Sequence, residues 1–144
     1  MFTGTYPNSI DAKNRMIIPA KFRDVLQDRC VLTKGLDGRC LYIFSAAAWE
    51  SFMKKLSDLP GLDAGTRQLM RHFYAGANEC EIDKQGRILI SQDLREYAKI
   101  EKELMTIGFQ DKIEVWSKTE WDNLEKIEPS EIAQKLAGYG INGI

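Results

Sequence analysis

The sequence is poor in the residues that build metal sites. It has one histidine, His72, and three cysteines, none of them in a Cys-x-x-Cys spacing. A histidine-rich or zinc-knuckle site is therefore not expected. An odd number of cysteines without a framework is typical of reduced thiols in a reducing compartment. We predict a protein with no metal and no cofactor.

Long apolar runs are also missing. No stretch is long and apolar enough to suggest a membrane span. The start, Met1-Phe2-Thr3-Gly4, lacks the charged and apolar regions of a secretory signal. These absences predict a cytoplasmic protein without a membrane partner.

An excess of positive charge is lacking too. With 20 Lys and Arg against 21 Asp and Glu, the formal net charge is −1. This excludes a generally basic protein that coats nucleic acid. The charges are unevenly placed, however, because residues 1–40 are net positive and residues 114–131 are net negative. Local basic patches are therefore compatible with the sequence.

Catalytic signatures are absent as well. The chain has no G-x-S-x-G elbow, Walker loop, G-x-G-x-x-G or H-E-x-x-H motif. Asp11 and Asp83 could be imagined as a carboxylate pair for acid–base work. Each has an arginine four residues on, which would hold it ionised rather than raise its pKa. We predict no enzyme, no catalytic residue and no small-molecule substrate.

The chain does contain an internal repeat. The segment that begins at Ile10 reads Ile10-Asp11-Ala12-Lys13-Asn14-Arg15-Met16-Ile17-Ile18, and its counterpart reads Ile82-Asp83-Lys84-Gln85-Gly86-Arg87-Ile88-Leu89-Ile90. Over residues 10–26 and 82–98 the copies share Ile10/Ile82, Asp11/Asp83, Arg15/Arg87, Ile18/Ile90 and Arg23/Arg95. The similarity resumes downstream, where Phe44-Ser45 precedes Trp49 and Trp116-Ser117 precedes Trp121. The sequence therefore predicts a duplicated fold.

Each copy predicts the same order of elements. An apolar residue leads into a polar turn, and a short apolar run follows. The fourth turn position is Asn14 or Gly86, and both residue types tolerate a left-handed backbone. We interpret this as strand, tight turn, strand. Ser45 and Ser117 then stand where helices begin. Each repeat is predicted as β-turn-β-α-β-turn-β-α, which makes the fold class mixed α/β.

The domain organisation follows from the repeat. We predict a first repeat in residues 1–56, a connecting segment and helix in 57–77, a second repeat in 78–128 and a tail in 129–144. Halves this small bury a modest core. We therefore expect them to share a barrel-like sheet, with short helices, about an approximate two-fold axis. The tail has a weak helical stripe, Ile132 and Leu136, and its end is expected to fray.

The turns also carry a resemblance. Asp11-Ala12-Lys13-Asn14-Arg15 before Ile18-Pro19, and Asp83-Lys84-Gln85-Gly86-Arg87 before Ile90, resemble the SpoVT-AbrB family of bacterial DNA-binding domains. The resemblance runs from Met1 to about Leu124. It implies a transcription regulator that binds double-stranded DNA at the promoter of the division and cell-wall gene cluster containing its own gene. It also implies a homo-oligomeric ring of several chains and association with the nucleoid. Carried over by position, the DNA contacts fall on Asp11, Arg15, Asp83 and Arg87.

The chemistry of these residues suits that role. An arginine that leaves a tight turn presents a planar fork that can bind guanine O6 and N7 together, or grip phosphate. Its aspartate can orient the fork or accept a hydrogen bond from a cytosine amino group. Nearby candidates for phosphate contacts are Lys13, Lys84, Lys21, Arg23 and Arg95.

Two alternatives remain open. In the first, the protein is a structural ring or scaffold, and the Asp–Arg pairs are salt bridges. In the second, it is an antitoxin-like module that binds a toxin protein as well as DNA. Antitoxins usually have one such domain and a disordered tail, whereas this chain has two domains and little tail. The scaffold is separated from the regulator by whether DNA binding needs Arg15 and Arg87.

Overall fold

The computed structural model describes residues 1–143, in which short strands and helices follow one another in two matching series. The first series is β1 (Thr5–Ser9), β2 (Arg15–Ile17), α1 (Ala20–Leu26), β3 (Arg29–Lys34), β4 (Cys40–Phe44) and α2 (Ala46–Ser57). A connecting helix, α3 (Ala64–Gly76), follows. The second series is β5 (Asn78–Glu81), β6 (Arg87–Leu89), α4 (Gln92–Tyr97), β7 (Glu103–Phe109), β8 (Lys112–Ser117) and α5 (Lys118–Asp122), with α6 (Pro129–Gly138) as the tail. The mixed α/β class and the duplication are confirmed.

Both repeats contribute to one antiparallel sheet of six strands in the order β1-β7-β8-β4-β3-β5. The first strand of each repeat pairs with the third strand of the other, β1 with β7 and β5 with β3. The fourth strands, β4 and β8, pair at the centre. Because β1 and β5 form opposite edges, the sheet is open and does not close into the predicted barrel. The exact limits of the two repeats stay a prediction.

The predicted order of strand, tight turn and strand is present, as β1, the turn from Asp11 to Arg15, and β2. After the turn, β2 does not return along β1 but pairs antiparallel with β6 of the other repeat. Arg15 lies opposite Leu89, and Ile17 lies opposite Arg87. The middle pair, Met16 and Ile88, is buried. Pairing across the repeats is favourable because it buries that apolar pair in the shared core. We call this two-stranded sheet the ribbon.

The core lies on the face of the sheet that the ribbon, α1 and α4 cover. Side chains alternate along β4, so Leu41 and Ile43 point into this core, whereas Tyr42 and Phe44 point to the other face. On that other face Trp49 and Trp121 pack against a second, aromatic cluster. Both tryptophans are therefore partly buried.

Helix starts agree with the predicted caps. The Ser45 hydroxyl accepts a hydrogen bond from the Ala48 N–H at 3.1 Å, and the Ser117 hydroxyl accepts one from the Glu120 N–H at 3.1 Å. These bonds satisfy amide groups that have no partner within the helix. Within residues 1–143, no helix has the length and apolar character needed to cross a membrane.

Helix α6 of the tail ends in a glycine cap. Gly140 adopts φ 80° after α6. The Ile141 N–H then donates to the Leu136 carbonyl at 2.9 Å, and the Gly140 N–H donates to the Ala137 carbonyl at 3.0 Å. This is the Schellman arrangement that closes helix ends. Fraying of the end of the tail stays a prediction.

The shared sheet predicts that the two repeats unfold together. Ile43 is fully buried on the central strand β4, opposite Ile113 of the other repeat. Ile43→Ala should cost about 2–5 kcal/mol. Hydrogen exchange measured by mass spectrometry should then accelerate equally in β3 and β7. Val25→Ala, at an exposed position, is the control. Faster exchange in the first repeat alone would contradict a single cooperative unit.

Candidate nucleic-acid interface

Asp11 organises the first turn through three hydrogen bonds. One carboxylate oxygen, Oδ1, accepts from the backbone N–H groups of Lys13 and Arg15, each at 2.9 Å. The other, Oδ2, accepts from Nε of the Arg15 side chain at 2.9 Å. Asn14 takes the left-handed conformation at φ 63°, as predicted. The carboxylate therefore fixes both the backbone and the side chain of Arg15.

The second turn repeats this geometry closely. Asp83 Oδ1 accepts from the backbone N–H groups of Gln85 at 3.0 Å and Arg87 at 2.8 Å. Asp83 Oδ2 accepts from Nε of Arg87 at 2.8 Å. Gly86 supplies the left-handed position at φ 79°. Two separate parts of the chain thus form the same hydrogen-bonded turn.

These contacts lower the pKa of both aspartates. The largest cause is the hydrogen bond from the backbone amide of Arg15 to Asp11, and of Arg87 to Asp83. Desolvation opposes the shift, while the arginine side chain and a second backbone amide add to it. Because both oxygens are occupied, each aspartate is placed to orient its arginine.

The ribbon brings the two arginines to one surface. Met16 and Ile88 point inward, so the side chains on either side of them point outward. Arg15 and Arg87 are therefore diagonal neighbours across the strands, a relation that separates Cα atoms by roughly 7–8 Å. The two turns lie at opposite ends of the ribbon. Residues far apart in the sequence thus make one candidate site.

Each arginine keeps two of its three guanidinium nitrogens free of partners within residues 1–143. Nε is bonded to the aspartate, whereas no acceptor within residues 1–143 bonds the two terminal amino groups. The side chains of Arg15 and Arg87 are 28% and 25% exposed. A planar pair of donors held at a fixed angle suits a partner with two adjacent acceptors.

Two residues of this surface were missed by the sequence reasoning. Ile17 and Leu89 were predicted only as members of apolar strands, yet they are 50% and 59% exposed. They lie on the outer face of the ribbon, opposite Arg87 and Arg15 respectively. A strand of three residues is too short for alternation to reveal which side chains face outward.

The three candidate lysines lie on the surface near the ribbon. Lys13 and Lys84 belong to the two turns, and both are exposed. Lys21 is exposed on α1, with Nζ 3.4 Å from the Thr3 hydroxyl. Lys13 and Lys84 can therefore reach a polyanion that lies on the ribbon, whereas the contact of Lys21 is with the amino-terminal segment.

Arg23 and Arg95 occupy a different position. Arg23 Nε donates to the Ile18 carbonyl at 2.8 Å, and the Arg95 side chain donates to the Ile90 carbonyl. Both side chains are half-buried against the ends of the ribbon. Arg23 also crosses to the other repeat, because a Cβ built on Gly86 would lie 2.1 Å from its Cζ. These two arginines brace the ribbon.

Gly86 therefore has two reasons to be glycine. Gly86→Ala forces an L side chain into a left-handed backbone and displaces Arg23. We expect a loss of about 1–3 kcal/mol in the free energy of unfolding, measured in urea. The matched control is Asn14→Gly in the other turn, which should be near neutral because φ 63° suits glycine. Equal losses for the two variants would contradict this account.

The lowered pKa of Asp83 predicts a pH dependence of stability. The folded-state pKa lies below the unfolded value of about 3.9. The contacts of Asp83 therefore stabilise the fold above that pH, and this contribution is lost as pH falls through the folded-state pKa. Asp83→Asn should be less stable than the parent at neutral pH, and the difference should shrink in acid. Urea unfolding across the pH range measures it; a difference independent of pH would contradict it.

Comparison with known proteins identifies the relatives of this chain. The family model described as "MraZ protein, putative antitoxin-like" matches twice, over residues 1–72 and 73–137. The transcriptional regulator MraZ of Acetivibrio thermocellus is 48% identical over 144 residues, which cover 98% of this chain and 100% of the relative. That of Thermoanaerobacter pseudethanolicus is 51% identical over 139 residues, covering 94% and 96%. That of Clostridium acetobutylicum is 46% identical over 143 residues, covering 98% and 100%. With matches along nearly its whole length, the chain belongs to the MraZ family.

Proposed function

We propose that the chain is a DNA-binding transcription regulator whose ribbon contacts double-stranded promoter DNA. The relatives named transcriptional regulator MraZ support the regulatory role. One observation carries the assignment of the DNA-binding surface. The ribbon joins the duplicated Asp-x-x-x-Arg turns, one at each end, so that Arg15 and Arg87 share one exposed face, with terminal amino groups that have no partner within residues 1–143.

The proposed mechanism begins with the shape of the ribbon. The major groove of B-DNA admits a two-stranded antiparallel β-ribbon. Arg15 and Arg87 then donate from their terminal amino groups to O6 and N7 of guanines. Asp11 and Asp83 hold the guanidinium planes at the required angle, because their oxygens already accept bonds from the turn.

Other residues complete the proposed contact surface. Ile17 and Leu89 lie beside the arginines and supply apolar contacts to thymine methyl groups. Contacts to phosphate position a protein on DNA but do not distinguish one base from another. We assign them to the basic side chains near the ribbon. These cations are Lys13, Lys21 and Lys84, together with the remaining amino groups of Arg23 and Arg95.

Affinity in this proposal comes from repetition. A single chain has a net charge of −1 and only two arginines that contact bases, so it binds DNA weakly by itself. A ring of more than four chains, presenting its ribbons to tandem promoter sites, raises the effective concentration of each contact. We place this ring on the nucleoid in the cytoplasm, at the promoter of the division and cell-wall gene cluster that contains its own gene.

Within each chain, we propose that the first repeat spans residues 1–56 and the second repeat spans residues 78–128.

The scaffold alternative explains less of the geometry. An exposed ion pair contributes about 0–1 kcal/mol. A purely structural pair has no need of two terminal amino groups directed outward beside exposed apolar side chains. The antitoxin-like alternative shares the DNA surface and adds a protein partner. The words "antitoxin-like" describe the family, and a toxin bound to this chain would be detected as a second protein in the complex.

Removal of the arginines tests the proposal. Arg15→Ala and Arg87→Ala should each weaken binding to the protein's own promoter while fold and oligomer stay intact. Each lost bidentate contact should cost about 1–3 kcal/mol of discrimination, and a ring multiplies the effect. Fluorescence anisotropy with promoter and scrambled DNA measures it. Arg71→Ala, an exposed arginine on α3, removes the same charge elsewhere and is the control.

A lysine variant distinguishes contacts to bases, which give sequence specificity, from contacts to phosphate, which do not. Lys21→Ala should lower affinity for promoter and scrambled DNA alike and make the salt dependence shallower. If the double variant Arg15→Ala, Arg87→Ala binds the promoter as tightly as the parent, the proposed site is wrong. If its DNA affinity falls only in step with the folded fraction, the scaffold alternative is supported instead.

A further inference from the structure

Helix α6 carries an apolar stripe that the rest of its own chain covers only in part. Ile132 and Leu136 lie one turn apart on the helix, and Tyr139, the residue at its C-cap, continues the same spacing. Leu136 is half-buried, whereas Ile132 is 41% exposed and Tyr139 is 85% exposed. An isolated helix of 10 residues is marginal in water, because most helical stability comes from packing of such a face. Helix α6 has no extensive packing contact with another helix or strand of the described chain. Its stripe therefore needs a partner.

The same chain contains a complementary groove. An apolar hollow of about 370 Å³ opens between β4, α2 and α3, on the face of the sheet opposite the main core. Phe44 stacks on Phe52 at 5.6 Å between ring centroids, and Phe73 meets Phe52 edge-on at 4.9 Å. Tyr42 and the exposed Leu36 complete the wall. No residue of α6 lines the groove.

The charges around the two surfaces are also complementary. Lys55 and Lys112 lie at the rim of the groove, with Asp111 as the acidic residue among its lining. Lys112 Nζ lies 5.0 Å from the Tyr42 ring centroid, and no salt bridge within residues 1–143 engages it. The segment that leads into and begins α6 is net acidic instead, with exposed carboxylates at Glu125, Glu128 and Glu131 against the one cation Lys126.

We propose that α6 of one copy docks its Ile132, Leu136 and Tyr139 stripe into the aromatic groove of a second copy. Glutamates at the start of the tail then lie beside Lys55 and Lys112. The two surfaces differ, so the contact is heterologous, and a heterologous contact closes into a ring when the rotation permits. This inference rests on the oligomeric part of the proposed function and names the interface that builds it.

Disruption of the stripe tests the interface. Leu136→Asp in the full chain should reduce the mass measured by light scattering at micromolar concentration towards that of one chain, 16.4 kDa. The variant should keep the far-ultraviolet circular dichroism spectrum of a folded chain, because Leu136 lies outside both core clusters. Lys102→Glu, an exposed charge outside both surfaces, is the control and should keep the parent mass.

A crosslink identifies which chain fills the groove. Chains with Leu136→Cys are mixed with chains with Ser51→Cys, a position that lines the groove. Oxidation should give a covalent dimer that contains one chain of each kind. A disulfide that forms only when both substitutions are on one chain would overturn the proposal in favour of docking within the chain.

The outcomes also separate this interface from the proposed function. An oligomeric parent whose mass is unchanged by Leu136→Asp overturns this interface and leaves the ring standing. A monomeric parent overturns the interface and the ring together. Loss of promoter binding in Arg15→Ala is measured independently of both, so failure of the DNA proposal would be recognised separately.

Discussion

Hydrogen bonds between the two repeats at the ribbon hold the candidate site together. The Ile18 N–H donates to the Gly86 carbonyl at 2.8 Å, and the Ile90 N–H donates to the Asn14 carbonyl at 3.0 Å. Each bond ties the left-handed residue of one turn to the end of the strand in the other repeat. Because the turns are fixed in this way, the arginines that leave them point to the same face.

The sheet below the ribbon depends on the same exchange between repeats. Strands β1 and β5 each complete the sheet of the other repeat, and β4 pairs with β8 at the centre. A repeat alone would leave these strand edges unpaired and its core uncovered. Pairing of the two repeats therefore stabilises the fold, and it also sets the distance between the two arginines. Stability and the proposed recognition share one structural cause.

The parts of this structure that could be predicted are those governed by near neighbours in the sequence. The Asp–Arg turns, the left-handed positions at Asn14 and Gly86, and the serine caps each rest on contacts within about four residues. The pairing of β2 with β6 could not be predicted. A strand of three residues carries no periodicity that selects a partner.

Several features of the site follow from the pairing of β2 with β6 and could not be predicted without it. The exposure of Ile17 and Leu89 and the bracing by Arg23 all require knowledge of which strands lie side by side. Openness of the sheet is likewise a property of six strands together rather than of any one segment. The helical stripe of the tail was visible, but its capped end depends on the conformation of Gly140.

The central claim is that the outer face of the ribbon touches DNA, and a photocrosslink at Leu89 tests it most directly. Leu89 is replaced by photoreactive p-benzoylphenylalanine, and the protein is irradiated on its own promoter. Leu62 is 95% exposed and outside the ribbon, so the same replacement there is the reference. The account predicts a protein–DNA crosslink from position 89 and none from position 62. Bound DNA that crosslinks from position 62 but not from position 89 would contradict it.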